Sequence, residues 1–183
     1  RVRLTVAYDG TAYLGWQVQQ EGASVQGCLE AALGRLFRHA PRVVSSSRTD
    51  TGVHARGMSV HFDVPQAQWR MTADKLILAA NAHLPEDIRV TAAAQTKPDF
   101  HARFDATLRE YEYHIQASKD PFAPKTFWWQ AHTLNVEAMN RCAKLLIGKH
   151  DFSSFCKGEA PNNNPQCTVF TAEWTQKTDG YCF

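Results

Sequence analysis

The chain is organised around a nine-residue stretch, Ser47-Arg48-Thr49-Asp50-Thr51-Gly52-Val53-His54-Ala55. It combines a carboxylate, a guanidinium, an imidazole and hydroxyls, most of which are costly to bury without a partner. Strand-like residues flank it, with Val43 and Val44 before it and residues 58–64 after it. A polar loop held between two strands is a common location for functional groups, so Asp50 is the candidate reactive residue.

Outward from this Asp50 loop (residues 47–55), hydrophobic periodicity predicts the order strand, helix, strand, strand, helix, strand. The predicted strands cover residues 2–8, 42–46, 57–64 and 88–94, and the predicted helices cover 25–36 and 72–82. This order is that of the ferredoxin-like split βαβ pattern. We therefore predict a ferredoxin-like N-terminal domain over residues 1–98, with the Asp50 loop between its second and third strands.

Residues 99–183 predict a second α+β domain that is incomplete. Its predicted elements are a strand at 108–116, a short buried strand at 127–129, a helix from a cap at Asn135 to Ile147, and a strand at 168–176. Asp179-Gly180 is a hairpin signal. Only three residues follow it, which predicts that part of this domain is missing.

Composition places the chain among ordinary soluble globular proteins, with 44% hydrophobic and 21% charged residues in 183. A net charge of +2 neither predicts nor excludes binding to nucleic acid. The five cysteines form no C-x-x-C pair, which favours reduced thiols in a cytoplasmic protein. No apolar run approaches the ~20 residues of a membrane span.

Arg48 and Asp50 are two residues apart, so in a locally extended chain they point to the same side. A nearby cation favours the ionised form of a carboxylate, which then acts as a nucleophile or stabilises positive charge at a sugar carbon. A plain surface ion pair in a turn explains the same pattern, and the residues alone leave both interpretations open.

Two further clusters are candidates for substrate binding. Arg103, within Phe100-His101-Ala102-Arg103-Phe104, either contacts a phosphate or pairs with Asp105, and the two aromatic rings of this segment are expected in the core. Tyr111 and Tyr113 either stack on a base or form a packed strand face. His54 is expected to bond to backbone. Neither metal-ligand spacings nor glycine-rich cofactor motifs occur, so no metal and no cofactor are predicted.

Seven segments, in order along the chain, resemble the TruA family of tRNA pseudouridine synthases. They are Ala7 to Gln17, Ser24 to Gly27, the Asp50 loop with Val60-His61-Phe62, Asn81 to Ile88, the two clusters at 100–104 and 109–113, and His150 to Phe155. The resemblance implies two ferredoxin-like (RRM-like) halves with antiparallel sheets, the second half incomplete. It also implies isomerisation of uridine to pseudouridine in the anticodon stem-loop of tRNA, usually at positions 38 to 40.

The same resemblance implies roles for single residues. Asp50 takes the place of the catalytic aspartate, Arg48 of the arginine that holds RNA and the flipped nucleotide, and Tyr111 of the tyrosine that stacks on the target uracil. Arg103 is a further expected substrate-binding residue. Family members form cytoplasmic homodimers and continue beyond Phe183, where a further arginine of the catalytic site is expected. The alternatives are a non-catalytic RNA-binding module and a nucleoside hydrolase that uses Asp50.

Overall fold

A computed structural model describes residues 1–119, 126–155 and 165–183. Their backbone forms an α+β fold in which the paired strands are antiparallel, apart from one parallel pair. Two compact units make up this fold, Arg1–Arg109 and Glu110–Phe183. Because a compact unit is not a test of independent folding, the domain boundary at residue 98 stays a prediction.

The first unit has the predicted order of strands and helices. Its elements are β1 (Val2–Tyr8), α1 (Val25–Gly34), β2 (Val44–Ser45), β3 (Ala55–Phe62), α2 (Ala73–Asn81) and β4 (Ile88–Gln95). The sheet order is β2-β3-β1-β4, and every neighbouring pair is antiparallel. The Asp50 loop therefore connects an edge strand of two residues to a long strand beside the central β1.

Local signals explain why these elements form. Alternate residues of β1, from Val2 to Tyr8, are buried and face the side chains of α1 and α2 in one core. Ser24 caps α1 by accepting the Gly27 N–H at 3.2 Å, and Thr72 caps α2 in the same way. One face of the sheet is thus covered by both helices.

Gln26 ties the start of α1 to the chain that enters the Asp50 loop. Its buried side-chain amide donates to the Val43 carbonyl at 2.9 Å and accepts the Val18 N–H at 3.1 Å. A buried amide with these partners is satisfied, whereas an apolar residue there would leave both backbone groups unpaired. The helix therefore fixes the position of the strand that leads to Asp50.

The second unit differs from its prediction in several elements. It contains β5 (His114–Gln116), β6 (Trp128–Trp129), α3 (Val136–Ala143), β7 (Gly148–Asp151), β8 (Gln166–Val169), β9 (Thr175–Lys177) and β10 (Gly180–Cys182). Its sheets have the orders β6-β5-β10-β9 and β7-β8. The Asn135 cap and the hairpin between β9 and β10 are confirmed.

Four predictions in this unit are wrong. The strand at 108–116 is only β5, because its partner β10 supplies hydrogen bonds to three residues. The strand at 168–176 is divided into β8 and β9, and the helix ends at Ala143 before a 3₁₀ turn. The strand at 127–129 is not buried: Trp128 and Trp129 are 53% and 42% exposed, because β6 lies at a sheet edge.

Among the residues that the structure describes, no helix is long and apolar enough to cross a membrane. Cys28, Cys142, Cys167 and Cys182 are free thiols, and Cys156 lies outside the described residues.

Candidate active site

Asp50 opens a tight turn and presents an exposed side chain. Its carbonyl oxygen accepts the Val53 N–H at 3.2 Å, and Gly52 has a φ of +78°, which a type II turn requires at its third position. Across the described part of the chain, no residue forms a hydrogen bond or an ion pair with the Asp50 carboxylate. The carboxylate is therefore available to a ligand.

Arg48 lies on the same loop and is also exposed. The ion pair that would make Arg48 and Asp50 a plain surface feature is absent between these two described residues. The structure thus brings the two side chains onto one short loop without joining them.

A second loop, the N-terminal loop (residues 9–17), holds the Asp50 loop in place. The Trp16 N–H donates to the Thr49 carbonyl at 3.0 Å, and the Gly52 N–H donates to the Tyr13 carbonyl at 3.3 Å. These two bonds lie on either side of Asp50 in the sequence. Its backbone is consequently fixed while its carboxylate is free.

Two glycines of the N-terminal loop make this close docking possible. A β-carbon at Gly10 would overlap the Val53 carbonyl oxygen. A β-carbon at Gly15, whose φ is +91°, would lie 2.5 Å from the Thr49 carbonyl oxygen. Neither glycine was predicted to have a role in the site; in the sequence both lie within Ala7 to Gln17, a segment that resembles the family's opening.

His54 makes a third connection between the two loops. Its Nδ1 accepts the Gly10 N–H at 3.1 Å, as expected for a loop histidine bonded to backbone. The same Nδ1 lies 3.0 Å from Asp9 Oδ1, a hydrogen bond that needs a proton on Nδ1 and therefore excludes acceptance of the Gly10 N–H at the same time. Hydrogen bonds from the Thr11 side chain and backbone hold the pKa of Asp9 below its usual value.

Arg103 lies in a separate turn that His61 anchors to the sheet. His61 is 4% exposed, and its Nδ1 accepts the Ala102 N–H at 3.1 Å. Burial lowers the pKa of His61, which keeps the ring neutral and able to accept. This role of His61 was not predicted, because its only signal in the sequence is a histidine within an apolar strand.

The proposed Arg103–Asp105 pair is not formed between these two described residues. Asp105 instead accepts the His101 N–H at 2.8 Å, and the Arg103 guanidinium lies 5.9 Å from the centre of the Phe104 ring. The expectation that both rings of this segment are in the core is wrong for Phe104, which is exposed. Arg103 therefore remains a surface cation.

Tyr111 belongs to the second unit, where it precedes β5. It is 73% exposed, and Tyr113 is exposed as well. The packed strand face that was the alternative explanation for these tyrosines is therefore not formed by the described residues. Exposed aromatic rings are suitable for stacking on a base.

Within residues 1–119, 126–155 and 165–183, no group of three or more histidine, cysteine, aspartate or glutamate side chains is placed to hold a metal ion. The chemistry available at the described site is thus that of a carboxylate, cations and aromatic rings.

Comparison with known proteins connects this site to one family. A sequence model described as tRNA pseudouridine synthase matches residues 4–105 and 142–183. The chain is 40% identical over 183 residues to the tRNA pseudouridine synthase A of Exiguobacterium sp., covering 100% of this chain and 73% of that protein. It is 41% identical to the protein of the same name from Bacillus subtilis, in an alignment that covers 98% of this chain and 73% of that protein. It is 43% identical to the tRNA pseudouridine synthase A of Rhodospirillum rubrum, in an alignment that covers 98% of this chain and 64% of that protein.

Proposed function

Since this chain belongs to the tRNA pseudouridine synthase family, we propose that it converts uridine to pseudouridine in the anticodon stem-loop of tRNA, at positions 38 to 40. The observation that carries this proposal is the carboxylate of Asp50, which is exposed, without a partner among the described residues, and held on a turn that a second loop fixes. Such a group binds and reacts at little cost in reorganisation.

The reaction suits this set of groups because it is a rearrangement within one nucleotide. The bond from C1′ to N1 breaks, the base turns, and a bond forms from C1′ to C5, while C5 releases a proton and N1 gains one. No external donor or oxidant is needed. Asp50 supplies negative charge at the sugar–base bond, either as a nucleophile or by stabilising positive charge that develops at the sugar.

The target base must leave its stack before a side chain can reach the bond to the sugar. We propose that Tyr111 stacks on the flipped uracil, since its ring is exposed. Arg48 and Arg103 are exposed cations suited to the phosphates that flank the target nucleotide. Shape recognition of the stem-loop supplies much of the specificity.

The wider expectations for the family are part of the same proposal. Both domains, 1–98 and 99–183, are proposed to be ferredoxin-like, and the first unit supports this with its antiparallel sheet of order β2-β3-β1-β4. The protein is proposed to be a cytoplasmic homodimer that acts on tRNA without a metal or a cofactor.

Release of tritium tests the proposal. The full-length protein is incubated with tRNA that carries tritium at C5 of uridine, because forming the bond to C5 expels that label. We expect release by the natural protein and a loss of about a thousandfold or more in Asp50→Asn. Asp74→Asn, in the first turn of α2, is the matched control and should release tritium normally.

Two further measurements separate the alternatives. A non-catalytic RNA-binding module would release no label, and it would bind tRNA equally well with Asp50 or Asn at this position. A nucleoside hydrolase would release free uracil, which chromatography detects. Tritium release that is equal in the natural protein and in Asp50→Asn would refute the assignment of Asp50.

A further inference from the structure

We propose that Tyr8 and Gly15 are positioning residues for the reaction, and that both act through Thr49 to set the direction of the Asp50 side chain. This inference rests on the proposed function, in which Asp50 is the catalytic residue. It concerns two residues that lie more than thirty positions before Asp50 in the sequence.

Thr49 is held at two different atoms. Its hydroxyl lies 2.8 Å from the Tyr8 hydroxyl, and its carbonyl oxygen accepts the Trp16 N–H at 3.0 Å. The Thr49 carbonyl and the Asp50 amide nitrogen belong to one planar peptide group. Holding that carbonyl therefore fixes the orientation of the peptide plane to which the Asp50 Cα belongs. The Asp50 side chain is attached to this Cα, so the direction of the carboxylate is set as well.

Gly15 sets how closely the second loop approaches this peptide plane. A β-carbon at Gly15 would lie 2.5 Å from the Thr49 carbonyl oxygen and 3.0 Å from the Asp50 carbonyl carbon. Non-bonded atoms are not tolerated at such distances, so any other residue would push the N-terminal loop and the Asp50 backbone apart. The φ of +91° adds strain for every residue with a side chain.

Tyr8 is a rigid reference point because it belongs to the sheet. It ends β1, where it pairs with Ala55 of β3 and Ile88 of β4, and it is 5% exposed. Its ring lies against that of Trp16, with 6.0 Å between the ring centres. Burial raises the pKa of Tyr8, so its hydroxyl remains protonated and available for the bond with Thr49. The sheet thereby determines where Thr49, and hence Asp50, is placed.

Substitutions at Thr49 and Tyr8 test the hydroxyl bond with little change in volume. Thr49→Val and Tyr8→Phe each remove one hydroxyl, and we expect each to lower kcat for tritium release by about three- to tenfold, with KM unchanged. Thr49→Ser retains the hydroxyl and should restore kcat. The double variant should be no slower than either single variant, because all three lack the same bond.

Gly15→Ala tests the close approach of the two loops. A displacement near 1 Å at a reacting group lowers a rate by roughly a hundredfold, so we expect a fall of that size in kcat. Gly57→Ala is the matched control, since a β-carbon there would meet Thr5 Cγ2 at an ordinary 3.7 Å. Circular dichroism and tRNA binding, measured on every variant, confirm that the folded state is retained.

The two proposals fail in different ways. If the natural protein releases no tritium, the proposed function fails, and if Asp50→Asn releases it as fast as the natural protein, the assignment of Asp50 fails. If the natural protein is active and Asp50→Asn is inactive, but Thr49→Val keeps its kcat, the positioning proposal is refuted. A change confined to KM, or a Thr49→Ser variant as slow as Thr49→Val, refutes it as well.

Discussion

The buried hydrogen bond from the Ala102 N–H to His61 is expected to hold the Arg103 turn on the sheet. In His61→Leu, the buried amide of Ala102 loses its acceptor, and a buried group left unsatisfied costs about 1–3 kcal/mol. The edge contact between the His61 and His101 rings, 4.9 Å apart, is lost too. We therefore expect a loss of ~2 kcal/mol in the free energy that closes this turn, or roughly thirtyfold in its opening equilibrium.

Amide hydrogen exchange at Ala102 measures this opening directly, and urea unfolding measures its effect on the whole chain. His61→Asn is the control, because its Oδ1 can take the place of Nδ1 as an acceptor; it should protect the Ala102 amide better than His61→Leu does. Equal protection of this amide in the natural protein and in His61→Leu would refute the reasoning.

The pKa of His61 also leads us to expect that the stability gap, the difference in free energy of unfolding between the natural protein and His61→Asn, depends on pH. Burial, followed by the charges of Arg1 and His101, lowers the pKa of His61, against the opposing charges of Asp63 and Asp105. Its unfolded pKa is about 6.5. Since the unfolded chain then binds more protons, the stabilisation is complete above pH ~6.5 and declines as the pH falls towards the folded pKa. Urea unfolding at pH 7.5 and 5.5 should show the gap narrowing in acid; a constant gap would contradict this.

Two further substitutions test the scaffold around the site. Gln26→Met leaves the Val43 carbonyl and the Val18 N–H without their partner. We expect the free energy of unfolding, measured in urea, to fall by about 2 kcal/mol. An unchanged unfolding midpoint would show that water replaces the side chain. In the second unit, a β-carbon at Gly180 would overlap the Ile115 carbonyl oxygen, so Gly180→Ala should separate β10 from β5. Faster amide exchange at Ile115, with the first unit unchanged, is the expected result, and normal protection there would contradict the close contact.

The first unit could be predicted from sequence because its signals are local. The apolar alternation from Val2 to Tyr8 depends only on neighbouring residues, and the strand that it predicts is confirmed. The two predicted helices are confirmed as well, each with a polar cap at its first turn. The second unit has strands of two to four residues, too short for periodicity to define. There, the apolar character of Trp128 and Trp129 predicted burial. These residues form β6, which lies at the edge of its sheet and has a neighbouring strand on one side only, so both side chains are exposed.

The chemical types of Asp50 and Arg48 predict that they are site residues, and this assignment stays a prediction. Whether the two side chains pair depends on their directions in the turn, which the sequence does not reveal. The docking of Gly10 and Gly15 against residues 49–53 is a contact between distant segments. Two glycines in a sequence do not show which distant segment they approach, so this contact was not predicted.

The contact between the two loops has a practical consequence for protein engineering. Its hydrogen bonds from Trp16 and Gly52 join main-chain atoms, and the four side chains at positions 11, 12, 14 and 17 are exposed. A combinatorial library that varies positions 12, 14 and 17 and keeps Gly10, Thr11, Tyr13, Gly15 and Trp16 would therefore diversify the N-terminal loop without altering the hydrogen bonds that hold the Asp50 loop. Selection from such a library for altered tRNA preference would test whether this loop contacts the substrate.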